Sequence, residues 1–434
     1  MLQSGQSTVG TLERLTGKAL GLLRSSSVKA AIGFTLGGIA FALATLLLAR
    51  YMEPTEFGLL MLLLALVQFG IGLGPFGVDL VVNRHRLPAT GRLAARVGFT
   101  ATVAGLLVCT VGHFLYGIDR PLLVLLFLTI ITAATSRVAS AFFQSAEKFG
   151  GALLITQSQN VVLLFAVPLA LLLGDRSVGF FMTVVMIGYA LAMVLGWLAA
   201  RARLTERGQP VGEKVLLQEG IGGLGIGFAV LVMMMLERYL IPILLSLEAM
   251  ATFSVLASVI GAPFRMMQIA IAFTLLPRLR AATSRVDAHR LIRSEIGIAL
   301  AICFSGTAAV LLFGPWVIDA IVGDRYDIGL SLYIAAILTG YTKILQGTTL
   351  AVVNALGSAR TLNIMSAASW SSIGVAIVAA LALSPFGLEG IIYGVGVGWL
   401  FQSLVALRLS RGLLDQRFSG DAPAAPLDKV DPIA

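Results

Sequence analysis

The chain has 434 residues, 58% of them hydrophobic and only 12% charged, with a formal charge of +9. A soluble core of that length does not carry so large an apolar fraction on so few charges, so soluble globular classes are excluded. The basic excess is distributed by loop and not in one patch, which excludes nucleic acid as the partner and points to membrane topology and an anionic leaflet.

A hydrocarbon core about 30 Å thick takes roughly 20 apolar residues per helix. Twelve segments meet that requirement: 28–49, 57–82, 97–115, 122–143, 153–173, 178–200, 221–245, 253–276, 296–313, 330–356, 362–383 and 388–409. Lys and Arg are retained where translocating them is costly. Counting Lys29 and Arg408, at the cytoplasmic edges of the first and last segments, the tails and even-numbered loops hold 23 of the 31 basic residues, whereas the odd loops hold only Arg50, Arg120, Arg176 and Arg325. This asymmetry predicts both termini in the cytoplasm. No charged n-region, short apolar run and cleavage site open the chain, so no removable signal peptide is expected. In the first 27 residues Leu12, Leu15, Ala19 and Leu22 share one helical face, a pattern shared by an interfacial helix and a plain tail. Cys109 and Cys303 lie in separate apolar segments, so neither a disulfide framework nor a metal site is expected.

The expected fold is all-α: a polytopic membrane protein of about twelve helices in two six-helix lobes. Residues 1–27 form a cytoplasmic tail, 28–205 the first lobe, 206–220 a linker, 221–410 the second lobe and 411–434 a second tail. Six is even, so both halves enter the membrane in the same direction and are related by a parallel pseudo-twofold axis, with a substrate site expected between them. A faint repeat agrees. Residues 53–58 and 248–253 occupy equivalent turns after segments 1 and 7, and residues 144–148 and 354–360 close segments 4 and 10.

Several segments carry polar stripes. In segment 2, Gly74-Pro75-Phe76-Gly77 interrupts the helical pattern, and Asp79 follows close to Arg84 and Arg86, which predicts a boundary ion pair. Segment 4 has Thr129, Thr132, Ser136 and Ser140 beside Arg137, which lies near enough to the cytoplasmic end to snorkel. Segment 7 has Glu237 and Arg238, adjacent and so about 100° apart on a helix, suited to gating or structural pairing. In segment 8, Ser254, Ser258, Gly261, Arg265 and Gln268 fall on one α-helical face, with Arg265 about 18 Å deep by helical rise. Segment 10 repeats the theme with Thr339, Lys343, Gln346 and Thr349. Deep cations outnumber the single deep acid, Glu237, so a cationic cavity for phosphate or acidic sugars is expected, lined by Arg265, Lys343, Arg137, Gln268 and Gln346. The glycines of segments 7 and 12 read as close helix packing by small residues.

The chain resembles the polysaccharide biosynthesis and export flippases, the O-unit and exopolysaccharide members of the multidrug, oligosaccharidyl-lipid and polysaccharide exporter superfamily. Residues 48–58, Leu-Ala-Arg-Tyr-Met-Glu-Pro-Thr-Glu-Phe-Gly, are similar to the family's L-A-R-x-L-x-P-x-E-F-G turn. Gly77-Val78-Asp79, Glu237-Arg238-Tyr239-Leu240, Pro277, Gly314-Pro315-Trp316, Gly323-Asp324-Arg325-Tyr326 and Ala355-Leu356-Gly357 also match, although the family usually has Asp at 237. The second-half turn lacks the usual Gly-Pro.

The resemblance implies a flippase that moves a polyprenyl-linked glycan across the inner membrane by alternating access. Its implied partners are membrane lipids and the glycan polymerase or export machinery; no cofactor is expected. The rival within the superfamily is a cation-coupled multidrug antiporter, which wants a deep acid that segment 1 does not supply. A membrane-embedded glycan polymerase or ligase is disfavoured by short outer loops, and the chain has no metal-binding or nucleophile motif, so no enzymatic activity is expected.

Overall fold

The structure is a computed structural model that describes residues 26–203, 212–261 and 284–418, together with Phe264, Gln268, Ile271, Leu275, Arg278, Leu279 and Ala282. It is all-helical, with no strand among the described residues. The elements are α1 (Ser26–Tyr51), α2 (Pro54–Leu73), α3 (Val78–His85), α4 (Gly91–Tyr116), α5 (Arg120–Ser145), α6 (Phe149–Thr156), α7 (Ser158–Leu173), α8 (Val178–Arg203), α9 (Glu213–Leu244), α10 (Leu247–Leu256), α11 (Arg285–Val322), α12 (Leu330–Leu356), α13 (Ala359–Leu383) and α14 (Gly387–Phe418). The chain divides into two compact units, Met1–Leu224 and Gly225–Ala434.

Helix ends follow local chemistry. The Thr90, Ser246, Ser284 and Ser358 side chains accept from backbone N–H groups three residues on, capping α4, α10, α11 and α13. Proline begins α2 and stands in the first turn of α5, where no N–H is needed. Gly117 and Gly174 close α4 and α7 in the left-handed conformation.

Seven stretches among the described residues are long and apolar enough to cross a membrane, or eight if the bent pair α6–α7 is one span. The count differs from twelve for several reasons. α13 and α14 run together through one 3-10 turn, and the described apolar parts of α1 and α10 are short. α12 is absent from the set because polar groups interrupt it. Helices also overrun their apolar cores. α9 starts at Glu213, inside the expected linker, because Leu216 is buried against Val81 and Val82 and Glu219 finds basic partners. α11 has 38 residues, about 57 Å by helical rise, so the loop expected before it is partly helix. α14 runs into the expected tail as far as Phe418. The N-terminal face of Leu12, Leu15, Ala19 and Leu22 lies outside the described residues.

In unit 1, α2 is the inner helix, with 67% of its apolar window buried. Leu60, Met61, Leu62, Leu63 and Leu64 are all enclosed, as are Leu126 and Ile130 of α5. The expected break in segment 2 is present. Phe76 and Gly77 have φ of 51° and 75°, and α3 restarts at Val78. The carbonyl of Gly74, freed by the break, accepts from Thr100 Oγ1 at 2.7 Å, so the irregular backbone is satisfied within protein.

Gly77 is required twice over. Its φ is left-handed, and a Cβ there would run into the backbone of Gly220. Gly77→Ala is therefore expected to destabilise the protein by about 1–3 kcal/mol, read as a lower melting temperature in detergent; an unchanged value would show that the turn has other room.

Segment 5, expected as a single apolar span, is two helices bent by 49°. The polar run from Gln157 to Asn160 supplies the cause. Ser158 Oγ donates to Ile155 O at 2.9 Å and Asn160 Nδ2 to Gln157 Oε1 at 2.6 Å, local bonds that compete with the helical ladder.

In unit 2 the core joins Met233 and Leu236 of α9, Ala376 of α13 and Trp399 of α14. Along α14, Gly390, Gly394 and Gly398 face α13. A Cβ on any of them would press on Leu383, Ala380 or Ala376 and Ser372 respectively. The small-residue packing expected of segment 12 is thus realised. In segment 7, Gly225 lies against Ser366 but Gly227 has open space, so close packing is not continuous there.

Candidate functional site

Unit 2 holds a cavity of about 60 Å³. Its charged lining is Glu237 and Arg238 from α9 and Lys343 from α12, with Gln268 and Thr339 as neutral polar groups and Phe253 and Phe264 as apolar walls. That is room for a few waters, well below the several hundred Å³ of a site enclosing a drug-sized ligand. Gly340 and Gly347 flank Lys343 on α12. They admit Phe264 and Gln268 so closely that a Cβ would stand 2.6 Å and 2.8 Å from those side chains.

Lys343 Nζ donates to Glu237 Oε1 at 2.7 Å. The pair is asymmetric, with the Glu237 side chain 3% exposed and the Lys343 side chain 25% exposed. The ammonium also stands 5.9 Å from the centroid of the Trp399 ring, within cation–π reach. Arg238 is 6% exposed and is engaged by its own partner. Among the described lining residues, two cations and one carboxylate leave a formal charge of plus one, less positive than the cations alone would make it. The expectation that Glu237 and Arg238 pair separately holds for Glu237, and its partner is Lys343, the lysine expected from the sequence to be a cavity cation.

Gln268 Nε2 donates to Gln346 Oε1 at 2.8 Å. The Gln346 amide nitrogen is buried and has no hydrogen-bond partner among the described residues. Thr339 Oγ1 donates to Ile392 O at 3.2 Å. Arg265 lies outside the described residues. Its stripe is altered upstream, because Ala257–Gly261 form a π turn and not α-helix. Ser254 and Ser258 donate to Met250 O and Ser254 O, both at 2.8 Å, so their hydroxyls are used within their own helix. Gly261 and Gln268 do line the cavity.

In unit 1, Asp79 pairs with Arg137, Nε to Oδ2 at 2.8 Å, and not with Arg84 or Arg86. Arg84 instead faces Glu219 at 3.5 Å and Arg86 faces Glu147 at 3.7 Å. The α3 register decides this, since Asp79 is in its first turn and the two arginines lie at its far end. Arg137 is 45% exposed. Thr129, Thr132 and Ser136 donate to carbonyls of their own helix, α5.

Sequence reasoning missed an amide network in the same unit. Gln159 Oε1 accepts from Gln68 Nε2 at 2.8 Å and from the Tyr189 hydroxyl at 2.6 Å, which ties α2, α7 and α8 together. The signal is present as Gln157-Ser158-Gln159-Asn160, four polar residues in a row inside an apolar segment.

Long apolar helices in two compact units, with charged pairs held among them, make a multi-pass membrane protein. Solved transporters share the fold. The lipid II flippase MurJ, in an inward closed conformation, aligns with a TM-score of 0.64 at 10% identity, over 88% of this chain and 87% of that one. An inward-facing multidrug resistance MATE family transporter of the MOP superfamily aligns at 0.60 and 14% identity, over 91% and 96%. The Vibrio cholerae MATE transporter VcmN, in its bent form, aligns at 0.54 and 14% identity, over 91% and 100%. No family model matches the sequence, and no curated protein matches it either.

Proposed function

We propose that this chain is a bacterial inner-membrane transporter with both termini in the cytoplasm. It moves a lipid-linked saccharide precursor, held by its anionic linkage, between leaflets by alternating access. The observation that carries the reading is the sign of the charges around the unit 2 cavity. Among the described lining residues Lys343 and Arg238 outnumber Glu237, and the carboxylate is already occupied by an ammonium at 2.7 Å. A lining of that kind favours an anion over an organic cation. The fold shared with a lipid II flippase is consistent with a lipid-linked cargo. Arg265, Gln268 and Gln346 are proposed as further contacts in unit 2; within unit 1, Arg137, held by Asp79, is proposed as a separate substrate contact.

The fold is equally that of multidrug transporters, and Glu237 is an acid of the sort a cation antiporter needs. That makes the antiporter the second reading, and one experiment separates the two. Deleting the gene in its own host is expected to abolish surface polysaccharide while the lipid-linked precursor accumulates. A Lys343→Gln copy, present in the membrane at normal level, is expected to restore less than about a tenth of export, the scale of losing one close charge contact. Unchanged surface glycan with heightened sensitivity to cationic dyes would replace this reading by the antiporter.

A further inference from the structure

We propose that Glu237 is a tethered competitor for the substrate anion, which restricts the unit 2 cavity to phosphate and pyrophosphate groups and excludes single carboxylates. The inference rests on the anionic-substrate reading above and adds to it the chemical class of the anion and the residue that sets it.

The geometry has three parts. The Glu237 carboxylate, on a short stem from α9, is nearly enclosed, whereas the Lys343 ammonium is the more exposed partner and lines the cavity. Lysine carries its charge on a flexible four-carbon stem with three donors, so it is the member able to change partners. Among the described lining residues, the other charged group is Arg238, which follows Glu237 directly and has a partner already, and the remaining polar groups, Gln268 and Thr339, are neutral.

An incoming anion must therefore take Lys343 from a carboxylate already in place. A carboxylate on a sugar acid offers the same chemistry as Glu237, but loses translational and rotational freedom that the tethered group has already given up. It does not win that exchange. A phosphate or pyrophosphate presents more charge and more acceptor oxygens than a carboxylate, so it engages more of the three donors of Lys343 at once. Glu237 thus discriminates by repulsion and prior occupancy, while the cations attract.

The sign of one substitution separates this role from a merely supporting one. If Glu237 only orients Lys343, removing its charge weakens anion binding; if it competes, removing its charge strengthens it. Calorimetric titration of the purified protein with sodium pyrophosphate is expected to show binding that tightens about tenfold or more in Glu237→Gln, the scale of a close charge pair. Sodium glucuronate is expected to bind only the variant. Glu237→Asp, which withdraws the carboxylate by one methylene, guards against misfolding of the first variant and is expected to tighten pyrophosphate by a smaller factor. Farnesyl pyrophosphate, as a third probe, separates sources. Tighter binding than inorganic pyrophosphate assigns the anion to a lipid carrier and equal binding to a free polyphosphate, and either supports the competitor role. Pyrophosphate binding that weakens or stays unchanged in both variants overturns the proposal but leaves the anionic substrate standing. Failure of all three probes to bind any form overturns both.

Discussion

Lys343→Met is expected to lower the stability of the purified protein by about 3–5 kcal/mol and to abolish transport, because it strands the Glu237 carboxylate in a site where its side chain is 3% exposed. The isolated charge, not the lost attraction, dominates this cost. A surface pair of the same residues would contribute only about 0–1 kcal/mol. Two companion variants make the argument checkable. Glu237→Gln alone leaves Lys343, a quarter exposed and on a flexible stem, so it is expected to cost less than the methionine variant. The double variant, with no buried charge left unpaired, is expected to regain most of the lost stability while transport remains absent. Thermal melts in detergent measure the first quantity and export the second. A Lys343→Met protein as stable as wild type would mean that Glu237 has another cation at hand.

The second large effect is expected at Gly394. A side chain there has no direction in which to yield, since the Cβ alone would meet the backbone N and Cα of Ala380. Gly394→Leu is expected to separate α13 from α14 and cost about 3 kcal/mol or more, so that little folded protein survives solubilisation. Gly412 is on the same helix, and a Cβ placed on it would have nothing within 4 Å, so Gly412→Leu serves as the control and is expected to be tolerated. Size-exclusion chromatography of a fluorescent fusion reads both. Equal recovery of the two variants would show that the α13–α14 contact is looser than it looks.

Much of the fold is legible in the sequence because its determinants are local. Runs of about 20 apolar residues, the prolines and serines at helix starts and the Gly-Pro-Phe-Gly interruption each act within a few residues of where they stand. The site is less legible because its chemistry is made by pairing. Glu237 and Lys343 are 106 residues apart, and Asp79 and Arg137 are 58 apart. Nothing in either neighbourhood names the partner, so the nearer arginines Arg84 and Arg86 are the natural expectation for Asp79. Hydroxyl stripes mislead for a different reason. Ser254, Ser258, Thr129 and Thr132 have the spacing of a cavity face, but a serine or threonine in a helix can donate its hydroxyl to a carbonyl one turn back, and these do. Glutamine cannot hide its amide that way as readily. Gln159, Gln268 and Gln346 accordingly find partners far along the chain.

The π turn at Ala257–Gly261 bears on descent. A helix that gains one residue must rotate everything beyond it by about 100°, or else absorb the extra residue in a wider turn, and this chain does the second. Gln268 donates to Gln346 beyond that turn. A lineage could therefore lose or gain one residue within 257–261 by converting between wide and normal turns without re-aiming that glutamine, whereas the same change a turn later would swing it away from α12. Length variation among relatives is expected to concentrate at that spot, and an ungapped alignment across it would set the position of Gln268 against the wrong residue.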